Sequence, residues 1–181
     1  LNIQDYKVEN LRFTYLDEGS DMNMVLDSIN HSGKGNFAEQ KLDLDTKTTA
    51  KLSFEMEKNK YMKNVAITLD AVLGIDMDKM KFDFKDNKAL INQLPLEFNG
   101  FLQMVDDGQL YDLTFKTPTS SFKNFLGLVP EAYSGDINKV QTSGDFTVNG
   151  KVNGTLTETT IPKFNVEIKS NNAMFKYPDL P

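Results

Sequence analysis

The chain of 181 residues carries 20 basic against 26 acidic side chains, a net charge of −6, and 39% of it is hydrophobic, with 13 Phe, 6 Tyr and 8 Met. That is enough for the core of one domain, and it excludes a disordered chain, whose mark is high charge with few aromatics. An acidic balance without any Lys/Arg cluster argues against a nucleic-acid backbone as partner, and the absence of Cys excludes disulfides, thiolate metal sites and thiol nucleophiles.

Taken in chain order, residues 10–17 read as a strand running into a turn at Glu18-Gly19-Ser20, and Ser32-Gly33-Lys34-Gly35 marks another turn. Leu52, Phe54 and Met56 alternate with Ser53, Glu55 and Glu57. After the turn signal Glu57-Lys58-Asn59-Lys60, Val65, Ile67 and Leu69 alternate with Ala66, Thr68 and Asp70. Phe82 and Phe84 flank Asp83 and lead into Asp86-Asn87, read as a turn. Leu96 and Phe98 alternate with Glu97 and Asn99, and Asp106-Asp107-Gly108 turns the chain into Tyr111, Leu113 and Phe115. Phe146, Val148, Val152 and Leu156 keep one parity, although Asn153-Gly154 is a turn signal. Phe164, Val166 and Ile168 close the series. Period-two alternation with one apolar and one wet face predicts antiparallel strands. Gly150 and Gly154 fall on the apolar parity, where glycine marks a bulge or a close backbone approach, so the sheet is expected to curve.

One stretch breaks the pattern. Phe122, Phe125, Leu126 and Val129 lie at i, i+3, i+4 and i+7, with Thr119, Ser120 and Ser121 as N-cap oxygens, Pro118 before them and Pro130 as a stop. The expected fold class is mostly β: a long antiparallel curved sheet, an open barrel or gutter, with one short helix near residues 119–129. Were Phe125 buried beneath that helix, its replacement by Ala would cost about 3–5 kcal/mol.

The parts of a catalytic site are missing. His31 is the single histidine, in Asn30-His31-Ser32-Gly33, and is expected to be a solvated turn residue whose loss leaves stability nearly unchanged. One histidine and no cysteine leave too few ligands for zinc. Asp76-x-Asp78 runs on into Lys79-Met80-Lys81, which breaks the spacing of a calcium loop, and Asp43 and Asp45 share a wet strand face. No nucleophile elbow or phosphate-binding glycine loop is present. The chain is expected to be no enzyme, with no metal and no cofactor.

Two segments echo one another. Asn10-Leu11-Arg12-Phe13-Thr14-Tyr15-Leu16-Asp17 aligns with Asn172-Ala173-Met174-Phe175-Lys176-Tyr177-Pro178-Asp179 at an offset of 162 residues (172 − 10). If these end strands are equivalent, residues 1–181 hold one β-rich unit plus the first strand of the next, as in a repeating β body. The order of motifs in the second half also carries a resemblance: Pro95-Leu96-x-Phe98-x-Gly100, Thr117-Pro118-x₃-Phe122-Lys123-x₂-Leu126-x-Leu128-Val129-Pro130, Thr142-Ser143-Gly144, Gly150-x-Val152-x-Gly154, Pro162-x-Phe164 and Phe175-x-Tyr177-Pro178-Asp179-Leu180-Pro181. Over residues 92–181, and more loosely over 1–91, the chain resembles the C-terminal part of AsmA-family proteins. The resemblance implies a periplasmic β-rich body in the bacterial envelope, with a parent chain anchored in the inner membrane. It implies a role in outer-membrane assembly and lipid homeostasis, with phospholipid moving along a hydrophobic β groove, and no catalytic residues. The chain begins at Leu1 and has no apolar run long enough to span a bilayer, so it reads as a piece whose N-terminal anchor lies elsewhere.

The apolar parity supplies the candidate lipid-facing residues: Leu52, Phe54, Ile67, Leu69, Phe98, Leu113, Phe115, Phe146, Val148, Phe164 and Val166. The expected partners are phospholipid acyl chains and neighbouring repeats of the parent chain. The competing reading is a structural, adhesion or glycan-binding module in which a second sheet or a closed barrel covers that face as an ordinary core.

Overall fold

The computed structural model describes residues 4–128 and 139–177. Nine strands follow one another: β1 (Asp5–Asp17), β2 (Met22–Lys34), β3 (Lys41–Met56), β4 (Asn59–Asp76), β5 (Lys81–Ile91), β6 (Leu94–Val105), β7 (Gly108–Ser121), β8 (Gln141–Leu156) and β9 (Lys163–Lys176). They pair antiparallel in sequence order, so the sheet is one meander. It does not close into a barrel. Among the described residues no second sheet lies against it, which leaves an open, gutter-like layer.

Local chemistry explains the hairpins. Between β3 and β4, Glu57 and Lys58 both take positive φ, the two-residue turn whose twist matches that of the flanking strands. Asn92 takes positive φ where β5 turns into β6. The turn expected at Asp86-Asn87 lies inside β5: Asp86, at φ 51, is the extra residue of a β-bulge, and the chain reverses at 77–80 instead. Asn153-Gly154 likewise stays within β8. Similar bulges centre on Asn10, Ser28, Asn64 and Asn172, all at positive φ. Asn and Asp tolerate this region because their short side chains bond locally. Each bulge bends its strand and deepens the twist, which curves so long a sheet.

Helix α1 (Phe122–Leu126) is a single short turn of helix. Thr119, Ser120 and Ser121, expected as its N-cap, remain in β7, where Ser120 and Ser121 pair with Phe146 and Asp145 of β8. Ser121 precedes the helix in extended conformation but makes no side-chain capping bond. Val129 and Pro130 lie outside the described residues. The helix lies across the end of the apolar face: Phe122 packs on Phe146 and edge-on to Phe175, and Phe125 meets Phe146 edge-on at 5.8 Å between centroids.

Candidate functional site: the apolar face of the sheet

Register decides which side chains share a face, because a strand alternates sides at every residue. Following pairs across the sheet, Leu44, Leu73, Phe84, Gly100, Leu113, Val152 and Phe164 stand in one row from β3 to β9. Six strand spacings of about 4.8 Å make that row about 29 Å long. A second row runs through Asn87, Phe98, Phe115, Gly150 and Val166. Leu26, Leu52 and Val65 begin a third on β2 to β4.

All eleven predicted residues fall on this one face, but they are not equivalent. Leu52, Phe54, Ile67, Leu69, Phe98, Leu113, Phe115 and Val148 are half-buried by their neighbours in the sheet. Phe146, at 4% exposure, is covered by α1 and Phe122, so it belongs to a small local core and lines no open surface. Phe164 and Val166 are 65% and 52% exposed, since among the described residues β9 has a neighbour on one side only. Phe115 lies flat over Gly150, whose missing side chain makes room for its ring. Phe84 and Phe98 meet at 5.7 Å.

The face has polar points that alternation did not reveal. Thr46 is buried and its hydroxyl donates to the Ala71 carbonyl at 3.1 Å. Asn87, 1% exposed, accepts the Val72 N–H at 2.9 Å across the bulge. Its Nδ2 is buried without a hydrogen-bond partner. The signal for Asn87 was the break in parity itself: Phe82 and Phe84 are even-numbered on this face, whereas Asn87, Ala89 and Ile91 are odd.

His31 is a correction. It lies within β2 on the apolar face, half-buried, and not in a turn. Its Nε2 is bonded to the Tyr6 hydroxyl at 2.5 Å and its Nδ1 to the Thr48 hydroxyl at 2.8 Å. Tyr6 packs across Gly33 and edge-on to Phe37, and burial pushes its phenol up from the ordinary range. Deleting the ring removes two hydrogen bonds and leaves two half-buried hydroxyls short of a partner. His31→Ala is therefore expected to lower stability by about 1–3 kcal/mol, read as a lowered urea midpoint. An unchanged midpoint would return His31 to the role of a solvated side chain.

The opposite face is wet and ionic. Lys85 pairs with Asp43 at 2.6 Å, Lys81 with Asp83 at 2.7 Å, and Lys151 with Asp112 at 3.3 Å. Such partly exposed pairs stabilise little and keep that side in water. Among the described residues no group of three His, Asp or Glu side chains could hold a metal ion, and no helix is long and apolar enough to cross a membrane.

No family model, curated protein or solved structure matches this chain. The functional reading therefore rests on the face itself. It consists of an apolar floor many side chains wide, a few buried polar groups, and a rim of strand edges.

Proposed function

We propose that the chain is a non-enzymatic, AsmA-like part of a bacterial envelope protein that carries phospholipid acyl chains along its apolar face. In this reading it works in the periplasm, in a parent anchored in the inner membrane, for outer-membrane assembly and lipid homeostasis. Neighbouring repeats of that parent are its protein partners.

The observation that carries the proposal is the continuous apolar row from Leu44, buried at the β3 end, to Phe164, 65% exposed at the β9 end, over which the described residues place no second sheet. Monomers seldom leave so wide an apolar face to water, and such faces mark partner, membrane or ligand surfaces. Transfer of each methylene from water contributes about 0.8 kcal/mol, so ten methylenes bring about 8 kcal/mol before the cost of ordering the chain is subtracted. Contacts of this kind are non-directional, which suits a surface along which a lipid slides better than one that holds it in a single pose.

A photo-crosslinking residue placed singly at Leu52, Phe98 and Phe115, in the periplasm of cells with labelled phospholipid, tests the reading. These positions are expected to capture lipid, and Glu55 and Glu167, on the other parity, are not. Folded variants that capture none at any of the three positions would remove the lipid function.

A further inference from the structure

The outer edges of β1 and β9 have no strand across them among the described residues, and the two strands share a device that the alternation of side chains conceals. The sequence echo extends beyond its first eight residues: Lys7, Asn10, Phe13 and Tyr15 recur as Lys169, Asn172, Phe175 and Tyr177, and Asp5 is matched by Glu167. The structure adds an independent match, because Asn10 and Asn172 both take the left-handed conformation, at φ 53 and 51.

The left-handed residues of this sheet follow a rule of sides. Toward one neighbour, the left-handed residue and the one before it oppose a single residue. Residues 9 and 10 of β1 face Asn30 of β2, residues 63 and 64 of β4 face Ser53 of β3, and residues 85 and 86 of β5 face Asn99 of β6. At three of the four bulges paired on that side, the single opposing residue closes the bulge with its side chain; at Ser28 the opposing residue is Arg12, and the Ser28 N–H donates to Asp27 Oδ1 of its own strand. Asn10 N–H donates to Asn30 Oδ1 at 3.2 Å, Asn64 N–H to Ser53 Oγ at 3.1 Å, and Asp86 N–H to Asn99 Oδ1 at 2.8 Å. Toward the other neighbour the bulge moves on by one residue: 86 and 87 face Ala71, and in β9 residues 172 and 173 face Gly144. β9 thus uses the second side against β8 and turns the first side, the one that β1 gives to β2, outward. Equivalence with Asn10 aims the Asn172 N–H at that open edge.

We infer that the outer edge of β9 is an acceptor for one further antiparallel strand of the β2 pattern, with a side-chain oxygen opposite Asn172. The remaining register follows from β1 and β2. Ile29 and Leu26 oppose Leu11 and Phe13, whose equivalents are Ala173 and Phe175. Lys34 opposes Asp5 and approaches its carboxylate at 4.0 Å, and Glu167 holds the matching place on β9. The incoming strand therefore alternates apolar and polar residues, brings an Asn to the bulge and a Lys to Glu167, and continues the apolar face past Ala173 and Phe175. This names the edge at which a neighbouring repeat would join, and its test needs no lipid, so it can fail without touching the lipid reading and the reverse.

The probe is a synthetic peptide of residues 22–34 added to the full chain. Because the native sequence has no Cys, engineered thiols are the only ones present. The β1–β2 pairs Lys7–Ser32 and Thr14–Val25 translate to Lys169–Ser32 and Lys176–Val25 on either side of the bulge. Lys169→Cys should form a disulfide with the Ser32→Cys peptide, and Lys176→Cys with the Val25→Cys peptide. The exchanged combinations, and a Lys7→Cys chain with either peptide, should give little. Lys169 and Lys176 are exposed, so these variants fold. Asn30→Ala in the peptide should weaken binding by about fivefold, the worth of one hydrogen bond. Equal yields for matched and exchanged pairs, or none above a scrambled peptide, would overturn the inference.

Discussion

A Gly100→Ala chain is expected not to reach the native sheet. Gly100 lies in the middle of β6 at φ 122, a conformation that side chains on L-residues rarely adopt, and an added Cβ would collide with the backbone carbonyl of Asp112 on β7. Backbone atoms of a central strand cannot step aside as a flexible side chain can, so the collision must separate β6 from β7 or rotate the residue out of register. Either outcome breaks the row that joins Phe84 to Leu113 through Gly100. The expected loss exceeds about 4 kcal/mol, beyond the ordinary range for one substitution. Gly127→Ala is the control. Gly127 is at φ −65, and the nearest atom to an added Cβ is 3.5 Å away, so that variant should unfold at an unchanged or slightly higher urea concentration. A Gly100→Ala chain whose midpoint matched that of Gly127→Ala would show that the β6–β7 pairing is looser than described.

The second large effect is at the helix, and it reverses the weight of two phenylalanines. Phe125, at the centre of the predicted helical stripe, is 49% exposed, whereas Phe146 beneath it is 4% exposed and touches the rings of both Phe122 and Phe125. Phe146→Ala should therefore cost about 3–5 kcal/mol, since a cavity is left between helix and sheet. Phe125→Ala should cost about 1–2 kcal/mol, half of a full burial term plus one edge-on ring contact. Urea titrations of both variants give the comparison directly. Equal losses would mean that α1 is pressed onto the sheet more closely than these exposures allow.

Much of this was legible in the residues. The alternation of Val65, Ile67 and Leu69, or of Leu113 and Phe115, is a local property, because a strand can bury only every second side chain. Parity therefore names the strands and the apolar side of each, and register then puts all eleven predicted lining residues on a single face. Bulges were not legible in the same way. Asp86-Asn87 has the composition of a turn, and only pairing with both β4 and β6 keeps it in line, with Asp86 left-handed and Asn87 carried to the apolar side. His31 was misplaced for a related reason. Asn30-His31-Ser32-Gly33 reads as a turn from its composition, yet its neighbours Val8 and Thr48 come from other strands and hold it in the sheet. The helix was found but overextended, because the hydrogen bonds of Ser120 and Ser121 to β8 outcompete a longer helix.

Strand formation and sidedness depend on residues two apart, so the order of residues alone dictates a protein built of strands with one apolar face. Whether that face would be closed by a second sheet, by a barrel or by nothing was decided only in three dimensions. Closure depends on the twist and bend accumulated over nine strands and on whether β1 and β9 meet, and neither quantity is local to any stretch of sequence.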